Sequence, residues 1–231
     1  TRTGCFGVCI CATRWQRFTI SRANVVIFAG LHKFFSYLRN KMTYTMNSTD
    51  DRKWEILSTE YLIRRPWLTA RRDHVKLPTG AENPEYYILE YPDWVNVIAI
   101  TREGKFVMVR QYRHGLQETL MELCAGVCEA GEDPMESARR ELYEETGYGG
   151  GEWQLWMTVS PNPSTSTNLT YSFLATDVER ISTQHLESTE DITVHLLSEA
   201  EVRALLENDE IRQALMAAPL WKYFASKGQS V

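Results

Sequence analysis

The stretch "DPMESARRELYEETG" (133–147) constrains the fold more than any other, because both of its ends are marked. Asp133 is of the N-cap type, able to accept from backbone N–H groups that a first helical turn leaves unpaired. Pro134 suits the first helical position, where its missing N–H is not needed. Glu136, three residues after Asp133, completes a capping-box pattern. Gly147 is placed to close the helix in the left-handed conformation that a Cβ disfavours. The spacing predicts a helix over 134–146, with Met135, Ala138 and Leu142 as the stripe that packs down.

On that helix Glu141, Glu144 and Glu145 lie three and four residues apart and reach one patch. Like charges so placed destabilise an isolated helix by about 0.2–0.5 kcal/mol per pair. Arg140 can offset one of them. By itself the cluster reads as a solvated acidic face. Its other reading is a convergent set of oxygen donors, which is what a hard cation such as Mg2+ or Mn2+ takes.

Elsewhere the chain is β-rich from Trp54 onward. "EYYILE" (85–90) and "WVNVIAIT" (94–101) read as strands of aromatic and β-branched residues. "REG" (102–104) is a turn signal and "KFVMVRQY" (105–112) the return strand. "LTYSFLATDV" (169–178) and "DITVHLL" (191–197) are further strands. Ser198 opens a helix with Glu201 as its capping-box partner and Val202, Leu205 and Leu206 as its stripe. A last helix is expected from about Glu210 towards Pro219. Strands on both sides of a central helix, then terminal helices, give an α/β (α+β) layered domain.

Charge divides the chain unevenly. Residues 1–49 hold seven Lys or Arg and no acid, so all 30 Asp and Glu follow. Three readings of that basic segment stay open: translated upstream sequence joined to a protein starting near Met42 or Met46, a transit peptide, or a real extension. The expected organisation is 1–49 basic segment, 50–93 N-terminal β subdomain, and 94–228 main domain. The overall charge of −5 argues against a nucleic-acid partner, and an anionic small substrate would need a local cation. The longest apolar run, "NVVIFAGL" (24–31), is too short to span a bilayer. Five cysteines, an odd number without a metal-ligand ladder, point to a reduced cytoplasmic protein.

Upstream of the helix, Glu132 stands eight residues before Arg140, and Gly126 six before Glu132. "GVCEAGEDPMESARRELYEETGY" (126–148) thus reads Gly-x5-Glu-x7-Arg-Glu-apolar-x-Glu-Glu-x-Gly-apolar, with Tyr148 as the last apolar residue. This resembles the Nudix box of the Nudix hydrolases. Seven fixed Gly, Glu and Arg positions at set spacing make it a specific pattern. The resemblance implies an α/β/α sandwich and metal-dependent hydrolysis of a nucleoside diphosphate linked to another group. It implies Glu141 and Glu145 as the principal metal ligands, Glu144 as a third ligand or a partner of Arg140, and the Ala125 carbonyl as a further ligand. Arg140 and Glu132 then orient the ligand carboxylates, and Gly126 and Gly147 shape the loop and the helix end.

"VRQYRHG" (109–115), "ELCAG" (122–126), "NPSTSTN" (162–168) and "ESTEDI" (187–192) are similar to the branch that hydrolyses ADP-ribose and nucleoside diphosphate sugars. Pro161 and Pro163 fall where that branch carries a proline after the box. Arg113 and Glu122 are the expected substrate-side residues; Arg113, at a strand end, is suited to bidentate phosphate contact. By alternation one of Arg110 and Gln111 shares its face, and His114 reads as a surface histidine. The general base in this branch comes from a loop glutamate. Glu190 is the first candidate, with Glu187 or a box glutamate open, because Ser188 stands where some relatives carry the acid. The branch implies a homodimer through the N-terminal β segment; Trp67, Tyr86, Tyr87 and Trp94 would line an interface, a core or a base. ADP-ribose is the expected substrate. GDP-mannose, ADP-glucose or a non-catalytic nucleotide-sensing role are the alternatives.

Overall fold

The computed structural model describes residues 51–227, so the basic segment 1–49 lies outside the described residues. Three strands, β1 (Glu55–Arg65), β2 (Leu68–Lys76) and β3 (Glu82–Glu90), form an antiparallel sheet in that order. The main sheet contains β4 (Trp94–Thr101), β5 (Phe106–Arg113), β6 (Glu118–Val127), β7 (Tyr148–Gly149), β8 (Glu152–Val159), β9 (Thr170–Arg180) and β10 (Ile192–Leu197). Its order is β10-β5-β6-β4-β9-β7, with β8 on β9 and β4 running parallel to β9. Helix α1 (Pro134–Thr146) follows β6, and α2 (Glu199–Glu207) and α3 (Ala214–Lys227) end the fold.

Strand β4 shows why this is a three-layer sandwich. Its residues are buried on both faces, as expected of a central strand. Val95, Val97 and Ala99 join Ala138 and Leu142 of α1 in one core. Ile98 and Ile100 join Val202 and Leu206 of α2 and Leu220, Tyr223 and Phe224 of α3 in the other. The α/β/α expectation holds, and α1 spans the predicted residues with Gly147 left-handed at φ 74.

Two expectations need correction. First, Glu136 does not close a capping box. Asp133 accepts from the Met135 N–H at 2.8 Å, while Glu136 pairs with Arg139 at 3.1 Å. Glu132 supports the turn instead, accepting from the Ser137 hydroxyl at 2.6 Å and the Glu129 N–H at 3.2 Å.

Second, the last helix begins at Ala214 and continues through Pro219 to Lys227. Proline has no N–H for the carbonyl four residues back, which normally breaks a helix. Here Asn96 Nδ2 donates to that carbonyl, Leu215 O, at 3.0 Å. The helix can therefore run past Pro219 with its freed carbonyl satisfied.

Strands β1, β2, β6, β7 and β8 are not individually legible in the sequence. "ETLMELCAGV" of β6 is built of helix-forming Glu, Leu and Met. β1 is exposed along its whole length and so carries no one-sided burial pattern.

Candidate active site

Strands β4 and β5 pair only beside their turn, at Ala99↔Val107 and Ile100↔Phe106. β6 pairs β5 from Arg113↔Glu118 to Met108↔Leu123. It then pairs β4 from Val97↔Cys124 to Trp94↔Val127. All three pairings are antiparallel, so β6 must swing between Leu123 and Cys124. The strands splay around this bend. A cavity of about 760 Å3 is lined by their diverging ends, by Glu145 of α1, by the loop before β10 and by the start of α3.

Arg140 organises the acidic face of α1. Its Nε and Nη2 donate to Glu132 at 3.2 and 3.1 Å. Its Nη1 donates to Glu141 at 2.9 Å and to Glu144 at 3.1 Å, and Nη2 also reaches Val127 O at 3.1 Å. One guanidinium thus fixes three carboxylates and a backbone carbonyl, using the planar fork that a lysine lacks. Arg140 and the Ser137 hydroxyl hold the Glu132 carboxyl down at about 2.

Glu141 is tucked against Gly126. A Cβ on Gly126 would stand 1.9 Å from the Glu141 carboxyl carbon, so only glycine leaves room for it. The Val127 N–H donates to Glu141 at 3.3 Å. Glu145 is buried, 4% exposed, and accepts from the Ala125 N–H at 3.1 Å. Burial pushes its carboxyl up to about 7; hydrogen bonds from Cys124 and Ala125 oppose this, and the charges of Glu141 and Glu190 add to it. Burial also raises Glu141, with Arg140 opposing.

The helix end is shaped as tightly. A side chain at Gly147 would meet Ser182 O at 2.3 Å. The Gly147 carbonyl accepts from the N–H groups of Ile181 and Ser182 at 2.9 and 3.0 Å, tying α1 to the segment after β9.

Arg113 lines the cavity together with Gln111, which shares its face. Arg110 is exposed and belongs to the other face. Glu122, expected at the substrate, is 1% exposed and is not part of the cavity wall. It accepts from Arg113 Nε at 3.0 Å and Nη2 at 2.5 Å, and from Gln111 Nε2 at 3.3 Å. The buried carboxylate therefore holds Arg113 in place and leaves Nη1 of Arg113 unpaired among the described residues. Glu190 lines the cavity and Glu187 does not; the Glu187 N–H donates to Glu190 at 2.9 Å. Ala125 and Gly126 lie on the wall, whereas Glu141 and Glu144 do not line it.

Of the other expected residues, most sit apart from the cavity. His114 is exposed, Trp67 is 79% exposed, and Pro163 is exposed in the loop before β9. Tyr86 donates to Ser164 O at 2.6 Å, and Trp94 lines the cavity beside Tyr91. Sequence reading missed Asn96, Thr170 and Gln213 on the same wall. Asn96 did carry a signal, as the lone polar side chain between Trp94 and Ile100.

Residues 91–218 match the NUDIX domain family. The chain belongs to the Nudix hydrolases. Ahead of the Nudix domain, residues 54–89 match the nucleoside diphosphate sugar hydrolase N-terminal domain. An ADP-ribose pyrophosphatase of Bacillus subtilis is 32% identical over 146 residues, covering 63% of this chain and 78% of that protein. A methanol dehydrogenase activator of Bacillus methanolicus is 36% identical over 119 residues, covering 52% of this chain and 64% of that protein's length. The crystal structure of an ADP compounds hydrolase superposes with a TM-score of 0.68 at 23% identity, over 78% of this chain and 97% of that one. That likeness establishes the Nudix fold. No helix among the described residues is long and apolar enough to cross a membrane.

Proposed function

We propose that this Nudix hydrolase cleaves the pyrophosphate bond of ADP-ribose or a related nucleoside diphosphate sugar, giving AMP and ribose 5-phosphate from ADP-ribose. The observation that carries the reading is one cavity whose wall combines Arg113, Glu145 and Glu190 beside the Gly126 turn. Nη1 of Arg113, steadied by buried Glu122, is available to a phosphate oxygen.

Glu141, Glu144 and Glu145 suit Mg2+ or Mn2+ as hard oxygen donors, with the Ala125 carbonyl a further one. Among the described residues no group of three or more acidic, His or Cys side chains is placed to hold a metal ion, and Arg140 Nη1 donates to both Glu141 and Glu144. The fit rests on what the carboxylates lack. Oε2 of Glu141 and Oε1 of Glu144 have no hydrogen-bond partner among the described residues, and burial disfavours the charge on Glu141 and Glu145 until a cation offsets it. When bound, such a cation neutralises diphosphate charge and acidifies water.

The chain's own groups then have separate tasks. Arg113 orients the diphosphate, and Arg140 holds Glu132, Glu141 and Glu144 so that their oxygens do not drift. Glu190 accepts the proton of the attacking water, since it lines the cavity and Glu187 does not. Attack at one phosphorus breaks the bridging P–O bond, and the leaving phosphate keeps that bond's electrons.

The protein acts as a homodimer in this proposal. β1 is exposed at all of its eleven residues and presents Ile56, Leu57, Tyr61, Leu62 and Ile63, each more than 40% exposed, an apolar surface that a second copy would cover. Incubation with ADP-ribose, ADP-glucose, GDP-mannose and NADH in Mg2+, with products identified, tests the activity. AMP with ribose 5-phosphate as the preferred outcome supports it; no cleavage of any of the four ends it.

A further inference from the structure

Six buried side-chain N or O atoms among the described residues lack a hydrogen-bond partner: Asn96 Oδ1, Asn168 Nδ2 and Oδ1, Thr170 Oγ1, Ser172 Oγ and Gln213 Oε1. They are not scattered. In the parallel pairing of β4 with β9, Trp94 sits opposite Thr170 and Asn96 opposite Ser172. Those four side chains therefore share one face of the sheet, and Asn168 lies two residues before Thr170. The start of α3 lies against this face through the bond from Asn96 to Leu215 O, with Gln213 two residues earlier. Asn96, Thr170 and Gln213 line the cavity, and Asn96 and Thr170 are each 1% exposed. An unpartnered buried polar atom costs about 1–3 kcal/mol, so such a concentration calls for a partner.

The chemistry of that partner can be read from Asn96. Pro219 leaves Leu215 O without its helical donor, and Asn96 Nδ2 supplies it. A flipped amide would set two oxygens against each other, so Oδ1 is committed to be the free acceptor. Gln213 Oε1 is a second unpartnered acceptor, and the Thr170 hydroxyl can both donate and accept. This stretch of wall, completed by Trp94, Leu215 and Met216, carries no charged side chain. Phosphate oxygens only accept and gain nothing from acceptor oxygens. Adjacent sugar hydroxyls donate and accept, and their ring offers apolar faces to Leu215 and Met216.

We propose that the Asn96–Thr170–Gln213 wall is a subsite that binds the hydroxyl groups of a sugar ring of the substrate. This rests on the nucleotide-sugar reading above and adds where the sugar is recognised. Thr170→Val and Gln213→Leu remove the hydrogen bonds with little change of volume. Calorimetry on the full chain, without divalent cation and with Ca2+, would measure binding of ADP-ribose, ADP and 2′,3′-dideoxy-ADP, with thermal unfolding as the check on folding. Each variant is expected to weaken ADP-ribose about 5- to 10-fold, one lost hydrogen bond. A loss confined to ADP-ribose assigns the subsite to the terminal sugar. A loss shared with ADP but absent with dideoxy-ADP assigns it to the nucleoside ribose. An equal loss with all three ligands overturns the proposal in favour of base contact. No loss with any ligand overturns it in favour of ordered water. A wild-type chain that binds none of the three overturns it as well. Binding with the expected losses but no hydrolysis in Mg2+ would end the enzymatic reading and leave the subsite standing.

Discussion

Replacing Gly126 with alanine tests how tightly the acidic helix is set against its loop. The new Cβ would lie 1.9 Å from the Glu141 carboxyl carbon and 2.1 and 2.4 Å from its oxygens. Carbon atoms settle at about 3.5–4.0 Å, so the carboxyl must retreat by about 1.5 Å. It then loses the Val127 N–H at 3.3 Å and Arg140 Nη1 at 2.9 Å. Stability should fall by only about 1–3 kcal/mol, the cost of the unpaired Val127 N–H, because the moved group is the end of a flexible side chain. Activity should fall much further, by about 100-fold in kcat/KM, as misplacement of about 1 Å at a reacting centre typically costs. The assay pairs ADP-ribose hydrolysis in Mg2+ with thermal unfolding. Gly115→Ala is the control, since nothing lies within 4 Å of a Cβ there. Activity of Gly126→Ala within a few-fold of wild type would refute the reasoning, and so would an unfolded variant.

Other outcomes follow from the same contacts. Arg140→Lys keeps the charge but cannot hold Glu132, Glu141 and Glu144 together, so kcat/KM should drop more than about tenfold while circular dichroism stays native; equal activity would remove Arg140 from the site. Glu145, raised to about 7 by burial, stays protonated in the folded chain over a range where the unfolded chain has lost its proton. Without metal, stability should therefore fall by about 3 kcal/mol as pH rises from about 4.5 to 7. Glu145→Gln should flatten that slope in urea unfolding at several pH values; an unchanged slope contradicts the assignment. Asn96→Leu leaves Leu215 O unpaired and should cost about 1–3 kcal/mol, part of which Pro219→Ala restores by supplying the missing N–H; additivity in that double-mutant cycle would count against the pairing. Leu62→Asp in β1 should shift the protein from dimer to monomer in light scattering, and an unchanged mass would exclude β1 as the interface.

What the sequence made legible was the local chemistry of α1. Caps, proline position and carboxylate spacing sit within a few residues of one another, so Asp133, Gly147 and the three glutamates could be placed without tertiary information. Gly126 and Glu132 were placed by the resemblance to the Nudix box, although what Gly126 does, leaving space for Glu141, is a packing fact with no local signature. Long-range features were harder. The passage of α3 through Pro219 depends on Asn96, which is 119 residues from its Leu215 partner. Glu122 reads as a candidate substrate contact in sequence, yet in the fold it is buried and accepts from Arg113. The β6 strand was hidden because its composition favours a helix and only its pairings with β5 and β4 make it extended.

The central claim is that the carboxylates of α1, backed by Arg140, make this Nudix domain a pyrophosphatase of nucleoside diphosphate sugars. Turnover of ADP-ribose in Mg2+ by wild type and by Glu145→Gln, with products identified, tests it most directly. AMP and ribose 5-phosphate from the wild type, with no turnover by a Glu145→Gln variant that unfolds cooperatively, is the predicted result. Near-normal turnover by Glu145→Gln, or a wild type inert towards every nucleoside diphosphate sugar, would contradict the account.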